Sequence, residues 1–363
     1  MSTTGPGYRL MRDADLATRN TFGVRARTPM LVEVDDAAAL PRLFADGVVD
    51  VADPALLVLG GGSNVLFAGN APGPVLSFTA QNVESGEGGG DMVVVRASAG
   101  VPWHAFVMHT LSLGLCGLEN LALIPGTVGA APIQNIGAYG VEVREHVHAV
   151  VAFDRRENRM RRLAPGECAF AYRDSVFKHE PARFVVTAVE FALSRTPRLR
   201  LDYAGIGDEL ATVGIAAPRA PDVAEAVIRI RRRKLPDPAR IGNAGSFFKN
   251  PIVPAAVAEA LQAGHPRLPV FPVAAFPADA AAHGGAGGAL RKLSAAWLID
   301  ACGWKGQRDG DAGVSPDHAL VLVNHGAASG AQLLALARRI ASSVHERFGV
   351  ALEPEPRIIG ARW

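Results

Sequence analysis

Cysteine is scarce in this chain. Its three cysteines, Cys116, Cys168 and Cys302, are odd in number, far apart and in no Cys-x-x-Cys spacing. That pattern fits buried free thiols in a reducing compartment better than a disulfide framework or a zinc site. No apolar run approaches the ~18 residues of a membrane span, and residues 1–7 carry no basic-then-apolar leader. A cytoplasmic globular protein without membrane insertion is therefore expected. A charge excess is lacking too: 37 basic residues face 35 acidic ones, for a net charge of +2. This balance excludes wholesale nucleic-acid or membrane-surface binding, while a local basic patch stays available to an anionic ligand. No G-x-G-x-x-G follows a strand, and no glycine-rich loop ends in Lys-Ser/Thr, so Rossmann and P-loop sites are unsupported. Lysine is also rare. The five are Lys178, Lys234, Lys249, Lys292 and Lys305, which leaves 37 − 5 = 32 arginines and makes each lysine's place informative.

What is present is 363 residues, 49% of them apolar. Single cores stop growing near ~250–300 residues, so two or three domains are expected. Residues 1–19 read as a flexible tail. A strand over 30–34, a short helix over 36–45 and a buried strand over 56–59 follow, the last running straight into Gly60-Gly61-Gly62-Ser63-Asn64. The glycine-rich stretch 84–90 reads as a surface turn. Residues 92–97 read as a strand, and 101–113 as a helix with Gly114 at its C-terminal cap. Residues 148–153 and 159–163 read as a hairpin, and 184–193 as a long strand. Residues 222–233 form a helix with Asp222 in its first turn, stopped by Pro236 and Pro238. The Ala/Gly-rich stretch 274–288 reads as an insertion. A strand over 319–323 precedes a helix striped by Leu333, Ala337, Ile340, Val344 and Phe348, which ends at Gly349. Residues 350–352 read as a short strand. The mixture is α+β, with a boundary near 195–235.

Two glycine-rich segments invite a ligand. In Gly60-Gly61-Gly62-Ser63-Asn64, bare backbone N–H groups can approach an anion closely, although a plain tight turn would look the same. Residues 117–140 hold too many small residues for an ordinary helix and too few charges for an exposed loop. A bound cofactor and a buried loop satisfied by its own Asn and Gln both account for that composition.

Taken together, the blocks of this chain resemble the UDP-N-acetylenolpyruvoylglucosamine reductases of peptidoglycan precursor synthesis, in the form with a substrate-loop tyrosine. The blocks are Asn20-Thr21-Phe22-Gly23, residues 60–64, residues 117–143, Tyr172-Arg173-Asp174-Ser175, Lys234-Leu235-Pro236-Asp237-Pro238, residues 242–251, residues 296–300 and Leu352-Glu353-Pro354-Glu355. They fall in the family's order over residues 20–360. The resemblance implies an α+β fold: a two-lobed FAD-binding domain of the vanillyl-alcohol-oxidase (PCMH) type over 20–196, its lobes split near 83–91. It also implies a C-terminal α+β substrate domain over 197–352 and a segment 353–363 that returns to the FAD domain carrying Glu355.

The implied reaction is reduction of UDP-N-acetylenolpyruvoylglucosamine to UDP-N-acetylmuramate by NADPH through non-covalent FAD. Hydride passes from flavin N5 to C3 of the enolpyruvyl group and a proton reaches C2. The setting is cell-wall synthesis, hence cell shape and division, and the state implied is a monomer. The cofactor would be held by Gly60, Gly61, Gly62, Ser63 and Asn64 at the pyrophosphate, and by Pro125, Gly126, Thr127, Gly129, Gln134, Asn135, Gly137, Ala138 and Tyr139. Arg173 would clamp the carboxylate whose charge grows during reduction, as its planar charged fork suits. Glu355 would serve the same charge, which requires that it be protonated or share a proton. Ser246 would donate the proton to C2. Tyr172, Tyr203, Lys234, Asn250 and His318 would contact substrate, Lys234 as a point charge. Arg231, Arg232 and Arg233 read as a solvated helix end.

The chain departs from the family pattern at two positions. Phe271 stands where some relatives carry a tyrosine over the diphosphate, and His318 where some carry a substrate-binding glutamine. The competing reading is another FAD oxidoreductase of this cofactor fold, acting on a sugar or alcohol, which has no use for Ser246, Lys234 and Asn250. A colourless nucleotide-sugar or nucleic-acid binder is a third.

Overall fold

The computed structural model describes residues 2–203, 205–273 and 289–363. The longest strand, Phe184–Ser194, is almost wholly buried, because both of its faces are covered. Val185 packs into one apolar core and Val186 into another, as the two-residue period of a strand requires. It pairs antiparallel with Val147–Asp154 and Met92–Ser98, and the sheet is completed by Arg159–Leu163 on one edge and Val83–Glu87 on the other. The larger core takes in Trp103, Phe106, Phe191, Val223, Val227 and Ile230. The smaller one includes Phe44 stacked on Phe153 at 5.1 Å between ring centroids. A second five-stranded sheet runs Ser2–Gly5, Tyr8–Asp15, Arg27–Val34, Val75–Phe78, Leu57–Val58 in spatial order.

Contacts divide the chain into two units. The first comprises residues 1–14, 28–61 and 71–233; the second comprises 15–27, 62–70 and 234–363. The second contains a four-stranded sheet in the order Gly242–Ser246, Val321–Asn324, Ala312–Val314, Arg308–Asp309. It also contains a three-stranded sheet of Ile252–Pro254, Leu290–Leu293 and Val270–Pro272. Its longest helix, Gly330–Phe348, starts at a Ser329/Gln332 capping box and ends at Gly349 with φ 67°. Among the described residues no helix is long and apolar enough to cross a membrane.

The α+β class agrees with the sequence reading, and several local expectations do not. Residues 2–15 are no tail: Ser2–Gly5 and Tyr8–Asp15 form a hairpin in which Leu10 is buried. The stretch read as a turn at 84–90 largely continues as the strand Val83–Glu87, because its backbone pairs with Val93–Ala97 whatever its glycine content. Residues 350–352 form no strand; the strand lies later, at Arg357–Ile359, parallel to Val65–Phe67. Residues 197–233, assigned from sequence to the C-terminal domain, belong to the first unit, since Ile206, Leu210, Val223 and Val227 fill its larger core. Residues 353–363 belong to the second unit. The expected insertion at 274–288 lies outside the described residues.

Candidate active site

In the first unit, the strand Leu57–Val58 delivers Gly60 and Gly61 against residues 126–127. A Cβ on Gly60 would lie 2.7 Å from Thr127 Oγ1, and one on Gly61 3.0 Å from Gly126 Cα. A side chain at either position would force its neighbour to shift. Both glycines are exposed, and among the described residues no backbone hydrogen bond engages either N–H. Exposed amides on a side-chain-free turn fit one end of a dinucleotide pyrophosphate. The facing segment is just as tightly held. Trp103 N donates to Gly126 O at 3.0 Å, Val128 N to Val101 O at 2.9 Å and Gly129 N to Ala99 O at 3.0 Å. A Cβ on Gly129 would meet that of Ala99 at 2.5 Å. Pro125 is exposed, while Thr127 and Gln134 are half-buried. The residues of this unit therefore fit FAD.

Asn135 is fully buried and turned inward. Its Nδ2 donates to Glu142 Oε2 at 3.0 Å and to Ala171 O at 2.9 Å, and its Oδ1 accepts from Arg144 N at 3.1 Å. Its side chain is thus scaffold rather than a contact to a ligand. Through Ala171 it anchors the turn that carries Tyr172 and Arg173.

Arg173 itself adopts φ 54°, a sparsely populated backbone conformation for a side chain of its size. The surroundings hold it there: Lys178 Nζ donates to its carbonyl at 2.9 Å, and its own Nη2 donates to Gly137 O at 2.7 Å. A Cβ on Gly137 would fit tightly, 3.1 Å from Arg173 Nη1. The guanidinium carbon sits 5.4 Å from the centre of the Tyr172 ring. Tyr139 and Tyr203 meet edge to face at 5.1 Å, and burial pushes the Tyr139 hydroxyl up from its ordinary pKa. The first unit thus gathers Arg173, Tyr172, Tyr139 and Tyr203 around residues 137–140.

In the second unit, Gly62 has φ 63°, and a Cβ there would lie 2.0 Å from Arg19 O. Asn64, two residues on, donates from Nδ2 to Glu355 O at 3.3 Å and accepts from Arg357 N at 3.0 Å. Glu355 N in turn donates to Phe247 O at 2.8 Å. The glycine turn, Glu355 and the residue after Ser246 are thereby tied together.

Ser246 ends the strand Gly242–Ser246 opposite Val321, and Phe247 N donates to Leu320 O at 2.7 Å. The partner strand Val321–Asn324 follows His318, whose Nδ1 accepts from Leu320 N at 3.3 Å. Burial, and then the positive charges of Lys234 and Lys305, depress the His318 pKa. Among the described residues no hydrogen bond or ion pair engages the Lys234 ammonium or the Ser246 hydroxyl. Asn250 Oδ1 accepts from Ala295 N at 3.0 Å, at the start of the helix Ala295–Ala301. Phe271 is exposed in the strand Val270–Pro272. An open groove of about 480 Å³ in this unit is lined by Asn20, Phe22, Asp237, Arg240 and His325 among others, and by none of the candidate substrate residues.

The arginine run divides. Arg232 and Arg233 are exposed, and Arg233 pairs with Glu209. Arg231 is no solvated helix end: it is half-buried, its Nε donates to Leu123 O at 3.2 Å, and desolvation lowers its pKa. The 15-residue helix Ala220–Lys234 turns this one arginine inward beside Tyr139. Helical spacing from Val223, Val227 and Ile230 was the available signal in the sequence.

Comparison with known proteins follows this geometry. Residues 237–359 match the family model for the C-terminal domain of UDP-N-acetylenolpyruvoylglucosamine reductase, and residues 48–161 match a FAD-binding domain. UDP-N-acetylenolpyruvoylglucosamine reductase of Xanthomonas axonopodis pv. citri is 57% identical over 357 residues, 98% of either chain. That of Xanthomonas oryzae pv. oryzae is 56% identical over 361 residues, 99% of either chain. The crystal structure of UDP-N-acetylenolpyruvylglucosamine reductase from Thermus caldophilus superimposes with a TM-score of 0.64 at 25% identity, covering 99% of this chain and 100% of that one.

Proposed function

The chain belongs to the UDP-N-acetylenolpyruvoylglucosamine reductase family, and from that premise we propose how its own residues divide the work. The protein is an FAD- and NADPH-dependent oxidoreductase that reduces UDP-N-acetylenolpyruvoylglucosamine to UDP-N-acetylmuramate in peptidoglycan precursor synthesis. When bound, FAD would supply the hydride chemistry that links NADPH to C3 of the enolpyruvyl group.

Arg173 binds the substrate carboxylate and stabilises the charge that grows on it as hydride arrives. Its backbone and one guanidinium nitrogen are already fixed by Lys178 and Gly137, so little reorganisation is needed at that moment. Ser246 donates the proton to C2. Glu355 shares a proton with the same developing charge, and its backbone tie to Phe247 keeps it near the serine. Lys234 and His318 hold the anionic end of the substrate, Asn250 adds a donor, and Tyr172 and Tyr203 contact the sugar nucleotide. Gly60, Gly61, Gly62, Ser63 and Asn64 cradle the pyrophosphate of FAD. Pro125, Gly126, Thr127, Gly129, Gln134, Gly137, Ala138 and Tyr139 line the rest of the cofactor. The enzyme works as a monomer in the cytoplasm, in keeping with three free cysteines.

The observation that carries this reading is the 57% identity over nearly the full length of a named reductase. Its test is anaerobic. Substrate added to the NADPH-reduced enzyme should restore the oxidised flavin spectrum. An oxidase of sugars or alcohols would leave it bleached, and that result would overturn the assignment.

A further inference from the structure

Leu123 adopts φ 58°, a conformation that a bulky side chain takes only when its surroundings impose it. Both backbone polar groups of this residue are held by side chains from two different helices. His104, in the first turn of Trp103–Ser112, accepts from Leu123 N through Nδ1 at 3.1 Å. Arg231, near the end of Ala220–Lys234, donates from Nε to Leu123 O at 3.2 Å. The neighbouring chain is gripped from the same helix start: Trp103 Nε1 donates to Leu121 O at 2.9 Å, and Trp103 N to Gly126 O at 3.0 Å. Gly126 and Thr127 are the residues on which Gly60 and Gly61 rest.

We propose that His104 and Arg231 are positioning residues for the cofactor: by clamping Leu123 in its left-handed conformation they hold residues 121–129, and with them the Gly60-Gly61 turn, in the shape that binds FAD. The inference rests on the FAD-dependent reading above and adds two residues that no motif marks. A strained residue pinned at both N–H and C=O, two positions before Pro125, has a clear use if the segment must be rigid before the cofactor arrives.

The clamp requires a neutral His104, because a protonated imidazole offers two donors and no acceptor to the Leu123 amide. The charged groups facing this ring are Arg231 and Arg232, both on the helix Ala220–Lys234. Together with burial, which acts most strongly, they hold its pKa below the ordinary histidine value. His104 is therefore neutral at neutral pH, and acid opens the clamp.

The test is the rate of FAD release from the purified holoenzyme, read as the rise in free-flavin fluorescence, from about pH 7.5 down to about pH 5. His104→Phe fills the space without an acceptor, and should release FAD roughly tenfold faster at every pH, the loss expected for one hydrogen bond. Arg231→Met should shift the rate in the same direction. His104→Asn places an oxygen where Nδ1 stood and does not titrate. Its release should match the wild type within about twofold near neutrality, and the part of the acid-induced acceleration due to His104 should be gone. If His104→Phe does not fold, the pH profile of His104→Asn decides alone. Unchanged release rates and an unchanged acid profile, or lowered melting temperatures with FAD release unmoved, would overturn the proposal. A wild-type protein that takes up no added FAD would overturn the functional reading, and the clamp with it.

Discussion

The backbone amide of Glu355 donates to the carbonyl of Phe247 at 2.8 Å, which sets the carboxylate-bearing residue beside the chain position that follows Ser246. Residues more than a hundred positions apart thus share one local frame. Their proposed roles, proton donor and partner of the developing charge, require such a frame.

Replacing Ser246 by Ala should leave reduction by NADPH at its normal rate and slow reoxidation by substrate about 10²–10⁴-fold, the usual span of general acid catalysis. Stopped-flow absorbance of the flavin separates the two half-reactions. Equal damage to both would mean that Ser246 shapes the cofactor site instead.

Arg173→Lys keeps the charge and loses the planar fork that reaches Gly137 O and, in the proposed mechanism, the substrate carboxylate. Reoxidation should slow about 10²–10³-fold, in line with loss of one preorganised donor at a developing charge. Flavin content and melting temperature should change little. A variant that also loses FAD would show that Arg173 supports the cofactor segment through Gly137.

At Gly62, where φ is 63° and a Cβ would stand 2.0 Å from Arg19 O, alanine is strained in both conformation and space. Gly62→Ala should cost about 1–3 kcal/mol of stability from the backbone alone, visible as a lowered denaturation midpoint in urea. A wild-type midpoint would show that this turn relaxes freely.

His318 provides a pH test with a definite sign. Burial and the two lysines lower its folded pKa below the ordinary value, so the unfolded chain takes up this proton first. The stability that depends on neutral His318 is complete above about pH 6.5 and falls as acid is added through the unfolded pKa. His318→Gln should flatten that part of the fall in melting temperature between about pH 7 and pH 5. A fall as steep as in the wild type would assign it to other groups.

Cys168 is wholly buried, and its thiol is pushed up to about 12, chiefly by burial. In the native protein near pH 8 it should resist alkylation and react only after denaturant is added, as mass spectrometry of the labelled peptide would record. Rapid native labelling would mean that the short helical turn Pro165–Cys168 opens readily.

Much of this architecture was legible before any coordinates. The long strand Phe184–Ser194, the hairpin before it, the helix Ala220–Lys234 and the striped helix Gly330–Phe348 all carry periodic apolar patterns that packing then obeys. The elements misread are those whose local composition hides a backbone pairing. Val83–Glu87 is a strand because Met92–Ser98 offers it an edge, and its glycines gave the opposite impression locally. Residues 2–15 look featureless in isolation and become a hairpin only in a sheet. In the site, the family resemblance marked Arg173, Ser246, Glu355 and Lys234. It could not mark His104, Arg231 or Lys178, whose work is done through another residue's backbone. Nor could it show that the amide of Asn135 is used up inside the protein.

The parallel pairing of Arg357–Ile359 with Val65–Phe67 has a practical corollary for anyone shortening the chain. A version ending at residue 352 would lack Glu355 and would also strip the partner from a short, largely buried strand, leaving raw amide and carbonyl edges where two molecules can stick together. Insolubility of such a version would then report a bared sheet edge and would carry no information about chemistry.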